Sequence, residues 1–358
     1  MGVFFVLLFV PIIMQRFVVK EMYIDYEKKN KRALAFFFVF FTILVMLRHE
    51  SIGNDTQNYI YLFKYFDLTA WKNIGGYNIE IGYAYFNKIV SWFTKEPQVF
   101  LAVSAIITMV MIYPTYKRLC LDASLTIVLF CTMSTFLMMF SGIRQMLAVG
   151  LGFVAYEFIR KKRIVHFILI VCLAMTFHTS AFMLIFMYPL YHVTITRKWL
   201  FVIVPMMVIV FVFNESIFSF LLLILSRFTE YEGEITLTGA YTMLFLFMVL
   251  SIFSFAIPNE SFVDKETNGL RNFLLFSCVI QCFAPLNTWA MRMNYYYIIF
   301  IPLLLPKIIA YRSERWSQVA IVARHIMVVF FVVYFFLNAY SNSNLHVFPY
   351  HFFWENVL

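Results

Sequence analysis

Charged residues make up only 13% of this 358-residue chain, about half their share in a soluble domain. Hydrophobic residues take their place at 63%, against about 45–50%. Apolar runs recur from end to end, and a soluble protein of this size could not cover so much apolar surface. The shortage of charge excludes a water-soluble enzyme. It points to an all-α polytopic integral membrane protein, one transmembrane domain over residues 1–358.

Other shortages narrow the field. Acidic residues number 19 against 28 basic ones, for a net charge of +9. The basic residues cluster in short links between apolar runs, as the positive-inside rule produces, so no nucleic-acid partner is expected. The five cysteines lie in or at the ends of apolar segments, which gives no disulfide framework. Cys278 and Cys282 share a helical face with no histidine or carboxylate beside them, so they read as packing and no metal is expected. The N-terminus lacks a charged n-region and a cleavage site, and reads as a retained first span. There is no P-loop, no Gly-rich phosphate cradle, no His-Glu metal helix and no Ser-centred nucleophile elbow, so no cofactor is implied.

What is present is a series of apolar segments. A crossing helix needs about 20 residues, fewer where the bilayer thins. Twelve spans are expected near 2–19, 33–47, 98–113, 124–142, 143–160, 165–177, 179–191, 199–213, 240–257, 271–286, 291–310 and 322–340. Residues 165–191 read as two short crossings or a re-entrant pair. Links numbered alternately place 20 of the 28 basic residues on one side, which is then the cytoplasm. Both termini face outward, toward the periplasm or cell exterior, with outer loops 48–97 and 214–239.

With this topology the unusual polar residues fall at one level. "RHESIGNDTQNY" supplies Arg48, Asp55 and Tyr59 where the second span emerges. "IEIGYAYFNKIVSWF" follows with Glu80, Tyr83 and Asn87; its Ile81, Tyr85, Ile89 and Phe93 form one stripe of an amphipathic helix lying at the outer surface. "SGIRQMLAVGL" opens the fifth span with Arg144, "TFHTSAF" places His178 at an outer turn, and "NTWAMRMNYYY" places Arg292 at the start of the eleventh span. Each has a plain alternative. Arg48 could snorkel, Asp55 could cap a turn, Glu80 could be solvated, His178 could be structural and Arg292 an interfacial anchor. Arg227 reads as a solvated charge. The joint pattern of three arginines and a histidine at outer span ends suggests an anion-binding cavity, because a guanidinium matches phosphate with a rigid fork of donors. A lipid pyrophosphate would carry its own activation. Arginines would stabilise its charge as it leaves, and a carboxylate or histidine would activate the attacking hydroxyl.

Arg48 with "GND" and Tyr59, then "EIGYAYFN", "SGIRQMLAVGL", "FHTSAF", "RMNYYY" and a terminal "PYHFFW", resemble the EpsG family of bacterial polysaccharide polymerases, often called Wzy-type. The resemblance runs from about residue 30 to the end. It implies a glycosyltransferase C-like membrane fold in the bacterial inner membrane. It further implies joining of oligosaccharide units carried on undecaprenyl pyrophosphate, for O-antigen, capsule or exopolysaccharide. Partners would be the lipid-linked oligosaccharide and membrane lipids, with room for a chain-length regulator. Arg48, Arg144 and Arg292 would hold pyrophosphate, and Tyr59, Tyr83, Asn87, Gln145 and Tyr295 would contact the glycan. Asp55, Glu80 or His178 would be the base, and the pattern leaves the choice among them open. The competing readings are a lipid-linked oligosaccharide flippase or transporter, and a membrane O-acyltransferase of the same glycan. The near absence of charge at mid-span argues against the first, and the outward position of His178 against the second.

Overall fold

A computed structural model describes residues 2–16, 23–224, 237–340 and 345–357. All regular structure among them is helical, as expected of a polytopic membrane protein. Arg227 and residues 225–236 of the outer loop 214–239 lie outside the described residues. The chain divides into two compact units, Met1–Ile185 with Val322–Leu358, and Phe186–Ile321.

The first unit begins with α1 (Gly2–Arg16) and α2 (Tyr23–Met46), followed by two shorter helices, α3 (Thr56–Leu68) and α4 (Ile81–Phe93). Then come α5 (Pro97–Leu119), α6 (Ala123–Thr132), α7 (Ser134–Ser141), α8 (Ile143–Arg160) and α9 (Ile164–Met175). α8 packs between α5 and α9, and α5 also packs on α2. The second unit holds α10 (Met187–His192), α11 (Leu200–Val212), α12 (Asn214–Ile224), α13 (Leu237–Ala256), α14 (Lys265–Gln281), α15 (Thr288–Ile298) and α16 (Ile301–Ala310). α17 (Ser317–Tyr340) carries the chain back to the first.

By length and apolarity, two helical stretches among the described residues suffice to cross a membrane, Pro97–Leu119 and Glu314–Ala339. Three bent pairs raise that to five if each is one span. The expected span 124–142 is one such pair, bent by 63° between α6 and α7. Thr132 turns its hydroxyl back to the Val128 carbonyl at 3.0 Å, and Met133 is extended, which breaks the ladder. The expected span 291–310 bends by 41° just before Pro302, whose missing N–H and ring do not continue a helix. Residues 165–191 form a 12-residue helix, a 3₁₀ segment over Thr179–Phe186 and the short α10.

α4 shows the expected stripe, and the stripe faces away from the rest of the protein. Ile81, Tyr85, Ile89 and Phe93 are exposed, while Tyr83, Asn87 and Ser91 are buried. Such a helix offers apolar side chains to lipid and polar ones to its own protein.

At one end of the first unit a buried polar network ties α1, α2 and α6 together. Gln15 donates to Asn30 at 2.7 Å and to Asp122 at 3.1 Å, and accepts from the Ser124 amide at 3.0 Å. Arg324 of α17 pairs with Asp122. Elsewhere Phe4 meets Phe136 and Phe140 of α7, Phe335 of α17, and Phe348 and Tyr350 of the C-terminal segment, all edge-on.

The link into α3 passes close under α7. Gly53 has φ +87°, and a Cβ there would collide with the Phe140 carbonyl oxygen. Gly53→Ala should therefore destabilise the purified protein by more than about 1 kcal/mol. Gly76→Ala, where nothing stands within 4 Å of the new carbon, should be close to neutral. Thermal unfolding in detergent checks both, and equal melting of the two variants would show that the Gly53 backbone tolerates a side chain.

Candidate functional site

Three separate segments of the first unit converge on Glu80. This residue stands at the N-cap of α4, yet its side chain makes no capping bond. The Thr176 carbonyl takes that role, accepting from the amides of Gly82 at 2.8 Å and Tyr83 at 3.2 Å. Gly82 is required by this approach, since a Cβ there would collide with the Thr176 hydroxyl and lie 2.8 Å from its carbonyl oxygen. The start of α4 is thus docked on the turn that follows α9, and the Glu80 carboxylate points elsewhere.

It points to Arg144 and the His178 turn. Arg144 Nη1 lies 2.5 Å from Glu80 Oε2. His178 Nδ1 is 3.4 Å from Oε1, long for a hydrogen bond but close enough for electrostatic attraction. The Thr179 amide and hydroxyl donate to the same Oε1 at 3.3 and 3.2 Å. The three side chains keep 20%, 14% and 13% of their surface accessible for Arg144, Glu80 and His178. Burial by itself would push the Glu80 carboxyl up. The contact with His178 and the positive charge of Arg144 outweigh it and hold the carboxyl at about 2. A carboxylate held so low is a weak proton acceptor. It suits holding cations and orienting a neighbour better than taking a proton from a hydroxyl.

Beneath this cluster lie the aromatic and amide residues. The Arg144 guanidinium sits 5.9 Å from the Tyr59 ring centroid, and Tyr59 meets Tyr83 edge-on at 5.7 Å. Asn87 donates to the Tyr83 carbonyl at 2.7 Å. Tyr59, Tyr83, Asn87 and Gln145 are all buried. The Nε of Arg144 is buried without a hydrogen-bond partner.

Asp55 reaches the start of α8 by another route. Its amide donates to Ser141 Oγ at 3.3 Å, and that hydroxyl lies 3.5 Å from Asp55 Oδ2. Ser141 is three residues before Arg144 in sequence.

Arg48 is enclosed, at 1% exposure. Its Nη1 donates to the Val45 carbonyl, while Nε and Nη2 have no partner. Burial lowers its pKa to about 10, which leaves it cationic at neutral pH. The C-terminal segment closes over it. Arg48 and Phe352 form an antiparallel bridge flanked by His49 N–H to His351 O and Phe353 N–H to Leu47 O, both 2.9 Å, and Tyr350 donates to Leu44 O at 2.7 Å. The cavity beside Arg48, lined also by Ser104 and Thr108, is about 10 Å³. That is room for one water and too little for a phosphate.

Arg292 and Tyr295 belong to α15 of the second unit, Arg292 half-buried and Tyr295 buried. Asn294 between them accepts from Ser277 at 2.7 Å and donates to Gln281 at 3.0 Å, tying α15 to α14. Among the described residues no group of three or more His, Cys, Asp or Glu side chains gathers at metal-binding spacing.

Sequence reasoning missed Thr176 and Thr179, though both flank His178 in "TFHTSAF". Thr176 contributes a carbonyl and Thr179 an amide as well as its hydroxyl, and residue type advertises only the last of these.

The depressed Glu80 carboxyl has a measurable consequence. Its ordinary value is 4.5 and its folded value about 2, so its ionised form stabilises the fold above pH 4.5. That contribution is lost as pH falls toward 2. The thermal stability of wild type should exceed that of Glu80→Gln by a constant margin above about pH 5 and by a shrinking margin below pH 4.5. A margin unchanged down to pH 3 would show that Glu80 gains nothing from its charge.

Neither a comparison with curated proteins nor one with solved structures finds a match. The sequence profile of the EpsG family matches residues 31–352, which spans α2 to the C-terminal bridge and includes every residue of the Glu80 cluster. The chain belongs to the EpsG family, a family of Wzy-like polysaccharide polymerases.

Proposed function

We propose that the protein lengthens a bacterial polysaccharide at the outer face of the inner membrane. It transfers the growing glycan from undecaprenyl pyrophosphate onto an incoming lipid-linked unit. Twelve crossings, outward termini and a glycosyltransferase C-like arrangement accompany this reading. The basic-residue bias supports the orientation, and family membership supports the polymerase class. The observation that carries the chemistry is the convergence of Arg144, His178 and Thr179 on one half-buried carboxylate, Glu80.

In this reading the bond between the anomeric carbon and the pyrophosphate oxygen breaks, and a bond to the acceptor hydroxyl oxygen forms. His178 takes the hydroxyl proton. Arg144, with its unpartnered Nε, stabilises the negative charge that collects on the leaving pyrophosphate. Glu80 is too acidic to compete for the proton and instead positions Arg144 and the neutral His178 imidazole. Asp55, held at Ser141, accepts a hydrogen bond from the acceptor sugar. Arg48 reaches a phosphate only when the C-terminal segment lifts. The roles of Arg292 and Tyr295 in substrate binding rest on sequence alone.

Glycan profiling tests the reading. Deletion of the gene should remove long chains while single-repeat products persist; loss of both would mark a flippase. At matched protein level, Arg144→Lys, Arg144→Ala and His178→Ala should each lower polymer formation by roughly 10²-fold or more. Arg160→Lys, whose partner Glu157 lies 2.8 Å away at the opposite end of α8, should leave chain length unchanged. The exchange Arg144→Glu with Glu80→Arg restores opposite charges without restoring the guanidinium to its place. It should recover thermal stability but not polymer, and recovery of polymer would reduce Arg144 to a structural ion pair.

Topology is tested separately. Cysteines at the exposed positions Asn73 and Lys161 should differ, the first labelling with an impermeant thiol reagent added outside intact cells and the second not. Labelling at Lys161 would reverse the orientation and place the Glu80 cluster on the cytoplasmic side.

A further inference from the structure

The second unit carries a polar cavity that the proposed reaction does not use. It measures about 490 Å³ and lies between the end of α10, the strand-like link to α11 and the start of α14. Glu260, Asp264, Lys265 and Arg271 line it, with Tyr191 and Thr194. Two carboxylates and two basic side chains therefore line it, and from outside the lining Arg197 Nε lies 3.6 Å from Glu260 and Lys307 Nζ 3.3 Å from Asp264.

The basic side is built into the fold. Arg271 is 2% exposed. Its Nη1 and Nη2 donate to the two oxygens of Glu260 at 2.9 and 3.2 Å, and its guanidinium lies 4.4 Å from the Phe255 ring centroid. Its Nε is buried without a partner. A buried N–H of a charged group left unsatisfied is unfavourable, so an acceptor in the cavity would be stabilising. Lys265 is exposed at the first position of α14, 5.7 Å from the Tyr191 ring centroid, and makes no ion pair among the described residues. Asp264 caps the same helix by accepting from Thr267 N–H at 2.6 Å.

The wall of the cavity runs directly into α11. Thr194, Ile195 and Thr196 lead through the turn Arg197–Trp199 to Leu200–Val212. That helix is apolar throughout, and Met207 alone among its residues is buried. A ligand with its head in the cavity would meet an exposed apolar helix beyond the rim. The chemistry that satisfies both is an amphiphile.

We propose that this cavity binds the headgroup of a zwitterionic phospholipid of the phosphatidylethanolamine type, with its acyl chains along α11. The phosphate accepts from Lys265 and Arg271 Nε, and the ammonium donates to Glu260 and Asp264. The two carboxylates offer acceptor oxygens that an ammonium can use and that a ligand with only negative charge, such as phosphatidylglycerol or a lipid pyrophosphate, cannot, which separates this site from the substrate site.

Binding of dihexanoyl phosphatidylethanolamine, dihexanoyl phosphatidylglycerol and free O-phosphoethanolamine to the delipidated full-length protein in detergent tests the site, read by native mass spectrometry. Phosphatidylethanolamine should bind at least tenfold tighter than either competitor. Lys265→Glu removes the accessible cation while keeping an acidic residue favourable at a helix start. Thr194→Trp fills the mouth from an exposed link. Each should weaken phosphatidylethanolamine about tenfold, the loss expected for one hydrogen bond to a charged group, with unchanged melting in the absence of lipid. Phosphatidylglycerol bound as tightly as phosphatidylethanolamine would overturn the zwitterionic assignment. O-phosphoethanolamine bound as tightly would overturn the lipid assignment. Absence of binding by any probe, or wild-type binding by both variants, would overturn the site itself.

Discussion

A single carboxylate ties together the starts of α4 and α8 and the turn after α9 in the first unit. Glu80 receives Arg144 from α8 on one oxygen, and His178 and Thr179 from the turn after α9 on the other. It does so because Thr176 has taken over the capping of α4, which frees the side chain at the helix start. Were Glu80 to cap its own helix, Arg144 would hold an unpaired charge in a largely apolar setting, which is expensive. The ion pair, the docking of α4 and the absence of a side chain at Gly82 are one arrangement and stand or fall together.

The same economy of charge appears throughout the molecule. In an apolar chain each buried charge needs a partner, and most find one: Arg324 with Asp122, Arg271 with Glu260, and Lys307 with Asp264 at 3.3 Å. Arg48 departs from the pattern. It is enclosed by the C-terminal segment, two of its nitrogens have no acceptor, and the adjoining cavity admits no more than a water. A cation left in that state is one for which an anionic ligand would be favourable, provided the covering segment opens. Its cover is a short antiparallel bridge joined by a few hydrogen bonds and edge-on rings, with no regular sheet behind it.

Glu80 and His178 stand in different settings, a division that residue type alone does not show. Both are able to accept a proton. Against its burial, the contact with His178 and the charge of Arg144 hold the carboxyl at about 2. The imidazole beside it is the other group of the cluster with a proton-accepting nitrogen. Asp55, which meets Ser141 and no cation, lies outside that division.

Composition determined the solvent of this protein. With 63% hydrophobic and 13% charged residues, transfer free energy alone selects a membrane, whatever the tertiary arrangement. Local periodicity determined α4 and its apolar stripe, because a 3.6-residue repeat is a property of the chain itself. The ordered motifs from "GND" to "PYHFFW" carried the family. Three things were decided only by tertiary packing. The partner of Arg144 lies 64 residues away and the second donor to Glu80 lies 99 away, separations over which sequence pattern records no preference. The enclosure of Arg48 depends on a segment about 300 residues downstream that folds back on it. Arg271 and Lys265, which no sequence motif singles out, became the cationic side of a cavity once α14 was set against the link to α11. Burial and charge pairing are sums over neighbours from distant parts of the chain, and those neighbours exist only in the folded protein.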